Sequence, residues 1–128
     1  MRGSSDRGSA AVEFALVLPL LLVLVLAVVQ VGLFVRDDLV LVGSARAGAR
    51  QAAVSADDES VRSAVSADAP GLDPTRIEVT IARTQRGGPA TVSLTYPTPQ
   101  AVPFVGWLFP SSITLHATAV MRQEFESR

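Results

Sequence analysis

The chain has 128 residues, 48% of them hydrophobic, with eleven arginines as its basic residues, a formal net charge of −1 and no cysteine. Without a cluster of basic residues it lacks the patch that binding to nucleic-acid phosphates requires, so we expect no nucleic-acid partner. The lack of cysteine excludes disulfides, thiolate nucleophiles and sulfur metal ligands.

One uncharged apolar run dominates the first third of the chain, from 14 to 35, and reads FALVLPLLLVLVLAVVQVGLFV. A helix of about 20 apolar residues crosses a hydrocarbon core about 30 Å thick, so the run predicts a transmembrane helix. Cleaved secretory signals have apolar cores of about 7 to 15 residues, with a small-residue cleavage site just beyond. Because the nearest small-x-small triplet begins only at Ala45, we interpret the run as a membrane anchor.

The segments on either side of this run differ in character. Residues 1–8 are small and polar, and we expect a disordered leader there because they cannot bury enough apolar surface to fold. Beyond the run, apolar residues recur at spacings of three and four, with no proline before Pro70. This pattern predicts that one helix covers residues 9–55, first in lipid and then as an amphipathic helix outside it.

Small and polar residues on this helix are candidate packing positions. Near the end of the apolar run, a glutamine amide could bond a neighbouring helix and a glycine allows close approach; the alternative is that the glutamine simply lies near the membrane interface. Further out, small residues allow close packing, either on the chain's own sheet or on another subunit, and two arginines four apart form a ridge that is solvated by default. The candidate positions are Gln30, Gly32, Gly43, Ala47, Gly48 and Arg50.

The pattern of residues 56–128 predicts a small folded domain after the long helix, called the head below. Ser55 or Asp57 can cap a short helix that runs through Ala67. The hydrophobic period then changes to two in three segments, which predicts an antiparallel hairpin and a third strand. A three-stranded sheet needs a cover on its apolar face, and the long helix is available. The fold class is therefore α+β: a transmembrane helix continuing into an amphipathic helix, a short second helix, and a three-stranded antiparallel sheet packed on the long helix.

A proline-rich apolar loop, PTPQAVPFVGWLFPSS, separates the second and third predicted strands. Its four prolines exclude regular structure. Its apolar residues either plug the sheet or form a contact surface for a partner or for the membrane interface, where tryptophan is favoured. Phe104, Trp107 and Phe109 are the candidate contact residues.

The sequence shows no set of residues suited to catalysis. His116, the one histidine, lies within a predicted strand, and no nucleophile or metal-spaced carboxylate accompanies it. Asp57, Asp58 and Glu59 are consecutive and lack the spacing of a calcium loop, so we interpret them as solvated first-turn carboxylates. We expect no enzyme activity, cofactor or metal.

The segment before the apolar run carries a more specific pattern, in which Gly8 is followed by SAAV, Glu13 and Phe14. It resembles the processing site of type IV prepilins, above all the pilins and pseudopilins of tight-adherence systems. RGSAAVEFALVLPLLLVL, VVQVG and SARAGARQAA together are similar to the TadE-like domain, over about residues 7 to 53. Gln30 departs from the acidic residue frequent there, and Ser9 departs from the aromatic first residue of ordinary type IV pilins.

This resemblance implies a pilin-like fold and a role as minor pilin or pseudopilin in assembling a tight-adherence (Flp, type IVb-like) pilus or a related secretion apparatus. It implies cleavage by a prepilin peptidase after Gly8, with Ser9 as the new N-terminus, Glu13 as the assembly carboxylate and Phe14 within the recognised motif. The implied partners are that peptidase, other pilin subunits, the membrane platform and the bilayer. The implied location is the cytoplasmic membrane, with the N-terminus inside and the head outside. The alternative is an unprocessed single-pass scaffold whose extracytoplasmic head binds a partner.

Overall fold

The computed structural model of the chain describes residues 4–85 and 87–124. Helix α1 spans Ser4–Val54 and helix α2 spans Asp58–Ala67. Strands β1, β2 and β3 cover Glu78–Arg83, Pro89–Thr98 and Ile113–Arg122. The predicted α+β fold is confirmed, including the long apolar helix, the short second helix and three antiparallel strands.

The described residues form two compact units. One unit comprises α1 up to Leu33 together with the loop Gln100–Ser111. The other begins at Phe34 and continues to Pro99, then resumes at Ser112. The second unit is the head, and it contains the outer part of α1, α2 and the sheet.

The start of α1 corrects one expectation. We expected a disordered leader over residues 1–8, but the helix begins at Ser4, so residues 4–8 are helical and residues 1–3 lie outside the described residues. Extending an existing helix adds one hydrogen bond per residue fixed, whereas starting one is costly, and Asp6 in the first turn suits the helix dipole. Residues 4–8 are thus helical because they extend the long apolar helix.

The sheet has the order β1-β2-β3, and both pairs are antiparallel. Alternate residues of β2 are buried, and β1 and β3 alternate between exposed and half-buried residues, with Ala117 of β3 buried. This pattern matches the predicted period of two. One face of the sheet packs into a core of small and branched side chains. These side chains come from the inward-facing positions of all three strands and from both helices. The fully enclosed members are Leu41, Ala45, Ala49, Ala52, Val61, Val65, Ala90, Val92 and Leu94.

Polar contacts hold α2 in place at both ends. Asp57 caps the helix and accepts hydrogen bonds from the amides of Glu59 at 3.3 Å and Ser60 at 3.0 Å. At the other end, the buried hydroxyl of Ser44 on α1 donates to the Asp68 carbonyl at 2.8 Å. Of the two predicted caps, Asp57 is the one observed.

Candidate functional site

The first candidate region is the start of α1, where Gly8, Ser9, Glu13 and Phe14 are all exposed. Ser9 and Glu13 are four residues apart and therefore lie on the same side of the helix. A Cβ atom added at Gly8 would meet nothing within 4 Å. The described part of the chain therefore gives no packing reason for a glycine at this position, and glycine costs about 1 kcal/mol relative to alanine within a helix.

The apolar part of α1 forms the second region. The helix is long and apolar enough to cross a membrane, and the most apolar part of it is not buried within the chain. Its outward-facing leucines and valines are mostly more than half exposed. Such a continuous exposed apolar surface is favourable in a hydrocarbon environment and unfavourable in water. This arrangement fits a single-pass membrane protein.

Gln30 differs from the rest of this apolar surface, because its side chain is only 1% exposed. Its Oε1 atom accepts a hydrogen bond from the backbone amide of Val102 at 2.8 Å. The Nε2 atom of Gln30 is buried without a hydrogen-bond acceptor among the described residues. Gly32, by contrast, is exposed, and a Cβ there would meet nothing within 4 Å. Within its own unit, Gln30 thus bonds to the loop that precedes β3.

That loop, Gln100–Ser111, is called the aromatic loop below. The side chain of Gln100 closes it by donating to the Pro110 carbonyl at 2.7 Å and to the Gly106 carbonyl at 3.4 Å. A 3-10 turn over Gly106–Leu108 forms its centre. The Trp107 indole N–H donates to the Phe104 carbonyl at 3.0 Å. The loop is therefore an ordered structure held by hydrogen bonds of its own.

The aromatic side chains of this loop point mainly outward. Phe104 is 80% exposed and Trp107 is 76% exposed, while Phe109 is half-buried and Val105 is buried. Phe104 also has a positive φ of 66°, a conformation that bulky residues rarely adopt. The side chains of Phe104 and Trp107 are therefore available for contact with another molecule, and the contact surface expected from the sequence stays a prediction.

The small residues of the outer part of α1 separate into two groups. Gly48 is buried in the head, where an added Cβ would lie 2.6 Å from Val65 Cγ2 and 3.2 Å from Val92 Cγ1. Gly43 and Ala47 are half-buried, and Arg50 is exposed. The structure therefore assigns Gly48 to close packing on the chain's own α2 and sheet, one of the two alternatives left open by the sequence.

The remaining titratable residues considered in the sequence make local contacts within the head. Asp58 forms an ion pair with Arg83, and Asp57 caps α2 as described. His116 is exposed on β3, with its Nδ1 atom 3.3 Å from the hydroxyl of Thr95 on β2. Sequence reasoning missed Gln100 and Val102, which organise the aromatic loop and attach it to Gln30. A single glutamine among prolines and apolar residues was the available signal for Gln100.

A comparison with protein families finds that the model described as TadE-like protein matches residues 8–50, about one third of the chain. The match begins at Gly8 and ends at Arg50. It therefore contains the glycine-to-glutamate motif, the apolar run and most of the small residues in the outer part of α1. Neither the curated proteins nor the solved structures contain a match to the chain. The predicted resemblance to the TadE-like family is confirmed over these residues.

Proposed function

We propose, on the premise that residues 8–50 form a TadE-like segment, that the chain is a minor pilin or pseudopilin that assembles into a tight-adherence pilus or a related secretion apparatus. The matched family is associated with tight-adherence pilus assembly and is generally structural rather than enzymatic. The proposal adds processing by a prepilin peptidase after Gly8, an inside N-terminus and an outside head.

The observation that carries the proposal is the position of the family match relative to the apolar helix. The match starts at Gly8, and Glu13 is the one carboxylate between that residue and the end of the apolar run. Both residues are exposed, and the glycine has open space around it. A glycine that packing does not require, at the first residue of the matched segment, suits recognition by another protein.

The physical role of Glu13 follows from its setting. Cleavage after Gly8 would leave a free ammonium on Ser9, four residues from the carboxylate and beside an exposed apolar surface. A charge at the edge of an apolar environment is costly unless it is paired. Pairing the ammonium of one subunit with the Glu13 carboxylate of its neighbour would satisfy both charges and set the axial register between subunits.

Mass spectrometry of the mature N-terminus tests this proposal directly. When the chain is expressed together with a prepilin peptidase of the tight-adherence class, we expect the mature chain to begin at Ser9. Gly8→Val should leave the leader in place. Gly32→Ala is the matched control, because Gly32 also lies in α1 with nothing within 4 Å of its Cβ position, and it should be processed normally. An intact Met1, or a start beyond Ala45, would overturn the proposal.

The second candidate function is an unprocessed single-pass scaffold that binds a partner through Phe104 to Phe109. The exposure of Phe104 and Trp107 is the observation that favours it. It predicts that Gly8 and Glu13 substitutions are silent, whereas Trp107→Ala abolishes recovery of the partner.

A further inference from the structure

The aromatic loop lies beside the apolar helix and is not a free surface of the head. It belongs to the same compact unit as α1 up to Leu33, and the hydrogen bond from the Val102 amide to Gln30 joins the two directly. Gln30 is 16 residues beyond Phe14, which corresponds to about 24 Å along the helix axis. A hydrocarbon core is about 30 Å thick, so a loop attached at Gln30 lies close to the outer boundary of that core.

The composition of the loop suits that depth. Residues 100–111 contain no charged side chain, and their exposed residues include Phe104, Trp107 and Leu108. Tryptophan is enriched at the boundary between hydrocarbon and headgroups, because its ring is apolar and its N–H is polar. An exposed aromatic pair is unfavourable against water and favourable at this boundary.

The hydrogen bonding of the loop points the same way. In a medium poor in water, backbone and side-chain polar groups must find partners within the protein. The Leu108 amide donates to the Val105 carbonyl at 2.9 Å, the indole N–H donates to the Phe104 carbonyl, and Gln100 donates to two loop carbonyls. Pro103 and Pro110 have no backbone N–H to satisfy. The loop therefore presents apolar surface outward, while the Leu108 amide, the indole N–H and the Gln100 side chain donate to carbonyls of the loop itself.

The backbone at Phe104 supports a contact role. Its positive φ of 66° is unfavourable for a bulky residue, and such conformations persist where the surrounding structure imposes them. The result is an aromatic ring held outward, 80% exposed. Because the ring is not buried, burial of the Phe104 side chain does not account for this conformation.

We propose that the aromatic loop is a second membrane-binding element, which inserts Phe104 and Trp107 into the outer headgroup boundary of the bilayer crossed by α1. The occupant of this surface is phospholipid. Gln30 sets the depth of the loop by holding the Val102 amide, and the loop in turn fixes how far α1 extends into the bilayer. This proposal requires α1 to span the membrane but does not depend on processing after Gly8.

The chain offers a native probe for this proposal, because Trp107 is its only tryptophan. We would reconstitute the full chain, at high dilution, into vesicles of phosphatidylcholine and phosphatidylglycerol carrying bromine either near the glycerol backbone or near the acyl-chain end. We expect shallow bromines to quench Trp107 several-fold more strongly than deep ones. Aqueous acrylamide should quench it several-fold less than a free tryptophan amide.

Three results would overturn the proposal. Strong quenching by acrylamide with none by bromine would show a loop exposed to water. Protection from both quenchers would show that a polypeptide covers the loop, as the scaffold alternative requires. Stronger quenching by deep than by shallow bromines would place the loop in the hydrocarbon centre.

The role of Gln30 is tested by Gln30→Leu, which removes the acceptor for the Val102 amide. We expect the ratio of shallow to deep quenching to change in this variant. Gln51→Leu is the control, since Gln51 is a half-buried glutamine elsewhere on α1 whose side-chain amide donates to the Ser60 hydroxyl at 3.4 Å. An unchanged ratio in Gln30→Leu would refute the depth-setting role of Gln30.

Discussion

At the scale of single residues, Gly48 is a position of the head where packing limits the size of the side chain. A methyl group there would lie 2.6 Å from Val65 Cγ2, closer than real Cβ atoms approach other carbons, and valine is too short and stiff to move away cheaply. Overpacking of this kind costs about 1–3 kcal/mol, while the gain in helix propensity from glycine to alanine returns only about 1 kcal/mol. Gly48→Ala should therefore lower the free energy of unfolding.

The measurement is chemical unfolding in detergent micelles, followed by circular dichroism. Gly43→Ala is the matched control in the same helix, because its added Cβ would make only an ordinary contact, at 3.7 Å from Asp68 Oδ2. That variant should be neutral or more stable by up to about 1 kcal/mol. Equal stability of the two variants would contradict the packing assigned to Gly48.

Sequence reasoning could recognise Gly48 as a packing position but not its partner. Small residues on a helix permit close approach whether the neighbour belongs to the same chain or to another subunit. The choice depends on where α2 and β2 are in space, since Val65 and Val92 lie 17 and 44 residues further along the chain. The bond between Gln30 and Val102 is a stronger case, because it joins residues 72 apart.

At the scale of elements, the predictable features were those with a local signal. The period of two marked all three strands, and Asp57 followed by carboxylates marked the start of α2. The polar leader was judged on its own composition and expected to be disordered, but α1 begins at Ser4 because a neighbouring helix removes the cost of nucleation. The aromatic loop has no periodicity, so its internal hydrogen bonds could not be predicted.

The start of α1 carries the prediction on assembly. If Glu13 pairs with the ammonium of a neighbouring subunit, Glu13→Gln leaves that ammonium unpaired in an apolar setting. Removing one partner of a buried ion pair costs about 3–5 kcal/mol, which corresponds to a loss of roughly a hundredfold or more in association. Co-purification of sister pilin subunits with the processed chain, after gentle solubilisation, measures this loss.

Asp6→Asn is the control for this experiment. Asp6 is an exposed carboxylate on the same helix, and cleavage after Gly8 would remove it together with the leader. This substitution should not change recovery of the sister subunits. Undiminished recovery with Glu13→Gln would contradict the pairing, and it would favour the scaffold alternative.

At the scale of the whole molecule, the remaining question is which side of the membrane the head occupies. The charge rule does not decide, since Arg2 and Arg7 precede the apolar run while Arg36, Arg46 and Arg50 follow it. The proposed processing requires Gly8 to face the cytoplasm and the head to face outward. Because the chain has no cysteine, a single introduced cysteine reports one position without background.

Ser63 is an exposed residue of α2, so Ser63→Cys places a thiol on the head without disturbing its core. We expect a membrane-impermeant maleimide to label it in intact spheroplasts. Ser9→Cys, expressed without prepilin peptidase so that the leader remains, is the matched change on the other side of the apolar run and should label only after lysis. Labelling of Ser9→Cys in intact spheroplasts, with Ser63→Cys labelled only after lysis, would place the head in the cytoplasm. That result would place Gly8 on the outer side of the membrane, where the proposed processing could not occur. The lipid contact proposed for the aromatic loop would still hold, in the opposite leaflet, because it depends on depth along α1 and not on orientation.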